Sequence, residues 1–247
     1  MTLIVDEVML REPNLLIPGK KPVGNVKIET DLTYPIYSLF PGLPTDTGRR
    51  SYDFVSGSLS DAWDSDITFG VDVHGKHIQT PNDSSWGVGI PMPLSETGGN
   101  YTFEYLFKFT DFAVNFNYFM DSETGRFICG TDDSKFTVYN ATDGWVTSTT
   151  PIQNNKLIHV FYVLDGSASV WNLYVNIGGE YTEEESAGIW TAKNLGGTTR
   201  LLTRYVQQAG AATQNCRLYG FNAYNKVLSK GEIRARMYDP YQFLIPA

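Results

Sequence analysis

The stretch from Tyr101 to Thr110 constrains this chain more than any other. Tyr101, Phe103, Tyr105, Phe107 and Phe109 alternate with Thr102, Glu104, Leu106, Lys108 and Thr110, the period-two pattern of a strand with one dry face. That face is almost purely aromatic, and it can be buried only against a second layer of apolar surface. Comparable runs follow at AVNFNYFM, RFICGT, KFTVYN, GWVTSTT, KLIHVFYVLD, SVWNLYVNI, TRLLTRYV and CRLYGFNAYN. They are broken by SETG, DDS, TDG, DGSA, GGE and QAGAAT, which are turn-forming sequences. LIHVFYVLD and VWNLYVNI, joined by a short DGSA-type connection, read as a hairpin. Strands that follow one another without helices predict an all-β sandwich or barrel. Glu180, Glu183, Glu184 and Glu185 are flanked by Gly and Ser and read as a solvated loop.

Composition supports a single globular unit. The chain has 247 residues, 42% hydrophobic and 19% charged, with 15 Tyr, 14 Phe, 5 Trp, 23 Gly and 12 Pro. That supplies a core, the residues that pack on pleated sheets, and the residues that make turns. Twenty-seven acidic against 19 basic residues give a formal charge of −8, so the mean field disfavours nucleic acid and anionic membranes as partners. The start, MTLIVDEVML, places Asp6 and Glu7 where a secretory signal carries Lys or Arg. Synthesis in the cytoplasm without a signal peptide is therefore expected. Cys129 and Cys216 stand in no CxxC pair, which argues against a thiolate metal site and favours two buried free thiols over a disulfide.

Residues 1–50 differ from the rest. Pro13, Pro18, Pro22, Pro35, Pro41 and Pro44 interrupt the apolar runs, so this segment reads as an extended N-terminal arm, with residues 51–247 forming the sandwich. Its short LLI and VKI runs suit edge strands, added to this chain's own sheet or to a neighbour's. At the other end, Ser229 three residues before Glu232 forms a capping box, Ile233 and Met237 share a face, and Asp239-Pro240 ends the turn. One short C-terminal helix, plugging an edge of the sandwich, is predicted.

The order of these segments resembles the laminin-G-like branch of the concanavalin A-like jelly-roll sandwiches. YTFEYLFKFTDF is similar to the family's aromatic opening strand. KLIHVFYVLDGSASVWNLYVNIGG is similar to its central hairpin, and RLYGFNAYNKVLSKGEIRARMYDP to its closing strand and helix. Together they cover roughly residues 70 to 240. Leu157-Ile158-His159 replaces the family's Trp-His pair, and Asn176 stands where a rim carboxylate is usual. The PNLLIPGKKPVG start also resembles laminin-G-like proteins of tailed bacteriophages. That resemblance implies a virion structural protein, a capsid decoration or tail component, with other virion proteins as partners, a homo-oligomeric state and host glycans as weak ligands. In this reading Leu15, Leu16, Ile17 and Pro18 anchor the arm on a partner subunit.

Chemistry-bearing patterns are sparse. The Glu-x-Asp-x-x-Glu spacing by which glycan-cleaving sandwiches flank a scissile bond is missing from the sequence, as are Gln-x-His, Gly-x-Ser-x-Gly and His-Glu-x-x-His. No catalytic residue and no cofactor are predicted. Asp61, Asp64 and Asp66 around Trp63 combine oxygen ligands with a stacking ring, the ingredients of a glycan or calcium (Ca2+) subsite. Asp132, Asp133 and Asp143 in adjacent hairpin loops form a second candidate. Turn chemistry is the competing reading of both. Trp86 and Trp145, beside Gly, are expected at the surface, and Trp171 in the core. His74 and His77 read as a turn, and His159 as a hydrogen-bonded sandwich histidine. The functions in play are a non-enzymatic virion component, a carbohydrate-binding adhesin or receptor-binding module, and a glycan-active hydrolase or lyase.

Overall fold

The computed structural model describes residues 26–28, 35, 37–39, 50–53, 55, 58–59, 67–81, 88–90, 98–112, 116–124, 127–202, 213–241 and 244–246. Among these, two large antiparallel sheets pack face to face. The first contains ten strands. Its main path runs β15 (Glu180–Ile189), β14 (Val170–Ile177), β13 (Ile158–Asp165), β8 (Tyr101–Phe109), β17 (Cys216–Tyr224), β2 (Tyr37–Leu39), β3 (Tyr52–Asp53) and β4 (Ser58–Leu59). The hairpin of β5 (Thr68–Asp72) and β6 (Gly75–Gln79) joins β17 beside this path. The second sheet has six strands in the order β12 (Gly144–Pro151), β11 (Lys135–Asn140), β10 (Phe127–Asp132), β9 (Phe116–Thr124), β16 (Gly196–Leu201) and β7 (Val88–Ile90). A small pair, β1 (Val26–Ile28) with β18 (Leu244–Pro246), stands apart.

The aromatic row of β8 lies between the sheets as its alternation predicts. Tyr101, Phe103, Tyr105, Phe107 and Phe109 are all buried and meet Phe119, Phe127 and Phe136 of the six-stranded sheet. Ring centroids of Phe107 and Phe119 are 4.6 Å apart, and those of Tyr105 and Phe221 4.9 Å. Burying one such ring stabilises by about 1.5–3 kcal/mol. The tyrosine hydroxyls in this core are satisfied: Tyr162 donates to the Gly130 carbonyl at 2.6 Å, and Tyr101 accepts from the Leu195 amide at 3.0 Å. Trp171 and Trp190 are buried too. Both thiols are buried and free. Cys129 lies 3.3 Å from the Tyr105 hydroxyl, and burial pushes its thiol up to about 12; burial likewise raises Cys216.

Three elements depart from the sequence reading. The alternation of β8 does not mark a half-wet strand, because Thr102, Glu104 and Leu106 on its other face are buried as well. The cover there is helix α1 (Lys230–Tyr238), which lies on the outward face of the ten-stranded sheet, over Phe161, Val163, Tyr174 and Tyr224, instead of at an edge. Its capping box is present, with Ser229 and Glu232 each satisfying the other's backbone amide. Second, Glu180–Ile189 is a strand, β15, where a loop was expected. It is an exposed terminal strand with little need for apolar residues, so its acidic composition hides the pairing with β14. Third, the arm boundary at residue 50 falls inside the sheet: β2 pairs with β17, and Ser38 and Leu39 are fully buried. The anchor residues 15–18 lie outside the described residues.

Where β15 passes the core, Gly188 leaves room for its neighbours. A Cβ there would stand 2.0 Å from Val146 Cγ1 and 2.6 Å from Trp171 Nε1. Gly188→Ala should therefore cost about 1–3 kcal/mol by overpacking, while Phe119→Ala should cost about 3–5 kcal/mol by leaving a cavity. Denaturant unfolding of both variants checks this, with the larger loss expected for Phe119→Ala.

Candidate functional site

The outward face of the six-stranded sheet carries a continuous cross-strand row. Trp145 of β12 is directly opposite Tyr139 of β11, Tyr139 opposite Ile128, Ile128 opposite Asp121, Asp121 opposite Arg200, and Arg200 opposite Gly89. One end of the row is aromatic and the other charged. Asp121 and Ile128 are buried, whereas Trp145 is 41% exposed. The Tyr139 ring packs 4.9 Å from Trp145, and Phe116 of β9 reaches to 5.3 Å from it, itself 37% exposed. Three strand spacings separate β9 from β12, about 14 Å in a flat sheet. That rings from these strands touch means the sheet curls and its outward side chains converge. The result is an aromatic shelf of Trp145, Tyr139 and Phe116, with Tyr118 6.4 Å from Phe116 at its far end. Flat, partly exposed rings suit the apolar faces of rings that also carry hydroxyls.

The acidic candidates separate. Asp132 and Asp133 occupy the tight turn between β10 and β11, with Asp133 and Ser134 at φ of 47° and 63°, the pairing of a type I′ hairpin turn. Burial and the Asp133 charge raise the Asp132 carboxyl above its usual range. Asp143 sits at the opposite end of β11, between β11 and β12, so adjacency in sequence does not bring the two loops together. Its carboxylate accepts from Asn140 Nδ2, from the Thr191 amide at 2.7 Å and from Thr191 Oγ1 at 2.7 Å. Burial raises Asp143, but those hydrogen bonds outweigh it and hold the carboxyl low. The group is a structural tie between the β11–β12 turn and the segment after β15. Among the described residues, no group of three or more His, Cys, Asp or Glu is placed to hold a metal ion. Asp61, Trp63, Asp64, Asp66 and Trp86 lie outside the described residues.

The β15 acids make ordinary surface contacts. Glu183 and Glu185 both pair with Lys230, and Arg234 reaches Glu183 at 3.6 Å, which moors α1 to the sheet margin. Glu184 accepts from the Thr149 amide at 2.9 Å and Thr150 Oγ1 at 3.0 Å, joining β15 to β12.

Sequence reasoning missed the charged cluster beneath α1. Glu104 is 2% exposed. Its carboxylate meets His159 Nε2 at 2.7 Å, the Tyr224 hydroxyl at 2.6 Å and Asn222 Nδ2 at 3.1 Å. Arg236 of α1 donates to the Tyr224 hydroxyl at 3.0 Å and stacks over the same ring. Ser38 donates to Asn222 Oδ1 at 2.6 Å. Burial pushes the Glu104 carboxyl up, but the His159 hydrogen bond and charge, the Arg236 charge and the Tyr224 hydroxyl together hold it below the usual range. The available signal was IHVFYVLD, apolar at positions of both parities, which marks a strand covered on both sides. His159 is hydrogen-bonded within the sandwich, as expected. His77 is buried against Tyr219, and His74 lies in the β5–β6 turn.

No family model matches the chain, and no curated protein matches it. Solved structures do. Trypanosoma rangeli sialidase in complex with sialic acid aligns with a TM-score of 0.54 at 10% identity, over 98% of this chain and 37% of that one. The binding domain of Paraclostridial Mosquitocidal Protein 1 aligns with a TM-score of 0.57 at 12% identity, over 84% of this chain and 52% of that one. The fold is a two-sheet jelly-roll β-sandwich. Domain 4 of AbnA, a GH43 extracellular arabinanase from Geobacillus stearothermophilus solved with arabinotriose, aligns with a TM-score of 0.50 at 13% identity, over 70% of this chain and 82% of that one. The chain spans between a third and about half of the sialidase and mosquitocidal chains. At these identities the likeness is one of architecture.

Glu104 also ties stability to pH. Because its folded-state carboxyl titrates below the unfolded value of about 4.3, its contribution is present above that value and is lost as pH falls through the folded one. Thermal midpoints measured from pH 7 down to pH 3 should fall with acid in the native chain. Glu104→Gln should start lower at pH 7 and show a shallower fall below about pH 5; parallel curves would contradict this role.

Proposed function

We propose that this chain is a non-enzymatic carbohydrate-binding sandwich whose ligand stacks on the outward face of the six-stranded sheet. The observation that carries the reading is the convergence of Trp145, Phe116 and Tyr139 from different strands into one partly exposed shelf. Rigid rings lose little side-chain entropy on contact, and they accept the apolar face of a sugar while neighbouring polar groups take its hydroxyls. Two of the structural neighbours were solved with sugars bound, a sialidase with sialic acid and an arabinanase domain with arabinotriose, which supports the same reading by analogy of fold.

Binding without turnover is favoured by how four of the described carboxylates are engaged. Glu104 is enclosed beneath α1, Asp143 is saturated by hydrogen bonds, and Glu183 and Glu185 are paired with Lys230. The finer expectation, a laminin-G-like component of a bacteriophage particle made in the host cytoplasm and fastened through Leu15, Leu16, Ile17 and Pro18, supplies a setting for such a face, since a particle component would present it to host glycans. Other virion proteins and further copies of this chain are the partners of that setting, and bound Ca2+ at Asp61, Asp64 and Asp66 belongs to it as well.

A glycan array probed with the full chain should give a defined set of binders. Trp145→Ala should weaken them by about tenfold, the scale of one lost stacking ring, with an unchanged unfolding midpoint. Equal binding by Trp145→Ala, or release of reducing sugar from any bound glycan, would overturn the proposal.

A further inference from the structure

A cleft of about 370 Å3 opens on the outward face of the ten-stranded sheet, at the C-terminal end of α1. It is on the opposite side of the sandwich from Trp145, and nothing in the carbohydrate-shelf reading depends on it. Its floor is a second cross-strand row, Leu106 of β8, His159 of β13 and Asn176 of β14, each directly opposite the next. Met237, Tyr238 and Pro240 wall it on the helix side, and the other wall is Asn155, Lys156 and the Gly178-Gly179 turn. The volume lies at the small end of ligand clefts, about the size for one ring.

The lining is selective in charge. Acidic residues outnumber basic ones 27 to 19 in the chain, yet among the described residues neither Asp nor Glu lines this cleft. Its polar side chains are an ammonium, Lys156, two amides, Asn155 and Asn176, and the imidazoles of His74 and His159. Lys156 makes no ion pair among the described residues. Its stem is laid across the cleft wall: a Cβ on Gly178, which has φ of 61°, would stand 2.9 Å from Lys156 Cδ.

His159 is the built part of the floor. Its exposure is only 4%, and Nε2 is held by Glu104 at 2.7 Å. An ionised carboxylate only accepts, so Nε2 carries the hydrogen of that contact and Nδ1 is the ring nitrogen left for a ligand. That Nδ1 has no protein partner among the described residues. Asn176 is oriented in the same way, since its Oδ1 accepts from the Gly179 amide at 2.8 Å, which leaves its NH2 to donate. Above them Tyr238 is 78% exposed, a large ring at the rim with one face uncovered.

We propose that this cleft is a second binding site, for a single sugar ring bearing a carboxylate, a uronic acid. Lys156 meets the carboxylate, the Asn176 NH2 and His159 Nδ1 each take a hydroxyl group, and Tyr238 covers the apolar face of the ring. His159 is thus a binding residue positioned by Glu104.

The test titrates D-glucuronate and, separately, D-glucose into the isotope-labelled full chain, following amide shifts of Gly178 and Gly179 by NMR. Glucuronate should produce saturable shifts, with glucose at least about tenfold weaker, the scale of one charge-assisted contact. Lys156→Gln should reduce glucuronate to the level of glucose. Lys156 is exposed, so this variant should fold normally, and Trp145→Ala should leave glucuronate binding unchanged whatever becomes of the opposite face. Failure of glucuronate to saturate, equal affinity for glucose, or unaltered affinity in Lys156→Gln would each overturn the proposal.

Discussion

A single buried carboxylate organises the helix-covered half of this sandwich. Removing an ionised group from water costs several kcal/mol unless hydrogen bonds and opposite charge replace the solvent. Glu104 receives that replacement from β13 through His159, from β17 through Tyr224 and Asn222, and from α1 through Arg236 acting on Tyr224. The elements must therefore hold their mutual register: a displaced helix would expose Tyr224 and loosen the groups that compensate the charge. Leu228 and Ile233, packed on Phe161 and Val163, supply the apolar part of the same contact.

The two outward faces have been treated in opposite ways. On the ten-stranded sheet the helix seals the centre and stops short, and the unsealed remainder is a small polar cleft. On the six-stranded sheet, aromatic side chains from separate strands crowd together at the surface. Exposing rings that could otherwise be buried forgoes stabilisation of about 1.5–3 kcal/mol each. Such exposure is therefore informative, in a way that scattered surface valines are not.

Much of the architecture could be read along the chain because local and tertiary demands agree there. The aromatic alternation of β8, the β13–β14 hairpin and the Ser229–Glu232 capping box each require only neighbours in sequence to be recognised. Elsewhere the deciding partner is distant. Glu104 looked like a solvent-facing residue until α1, more than a hundred residues later in the chain, covered it. The acidic β15 is a strand because β14 offers it a ladder. Trp145 was legible from its place beside Gly144, but its meeting with Phe116 depends on sheet curvature, which no short-range pattern encodes. Asp143 kept its turn role and gained an unforeseen one, the tie to Thr191.

The two cysteines have a consequence for where such a domain can work. Cys129 and Cys216 are enclosed in the core, and burial keeps both as thiols instead of reactive thiolates. The sandwich is held together by non-covalent contacts, with no covalent staple between these positions. Moving from a reducing compartment to an oxidising one would neither complete nor undo the fold, so its surfaces can be presented unaltered on either side of that boundary.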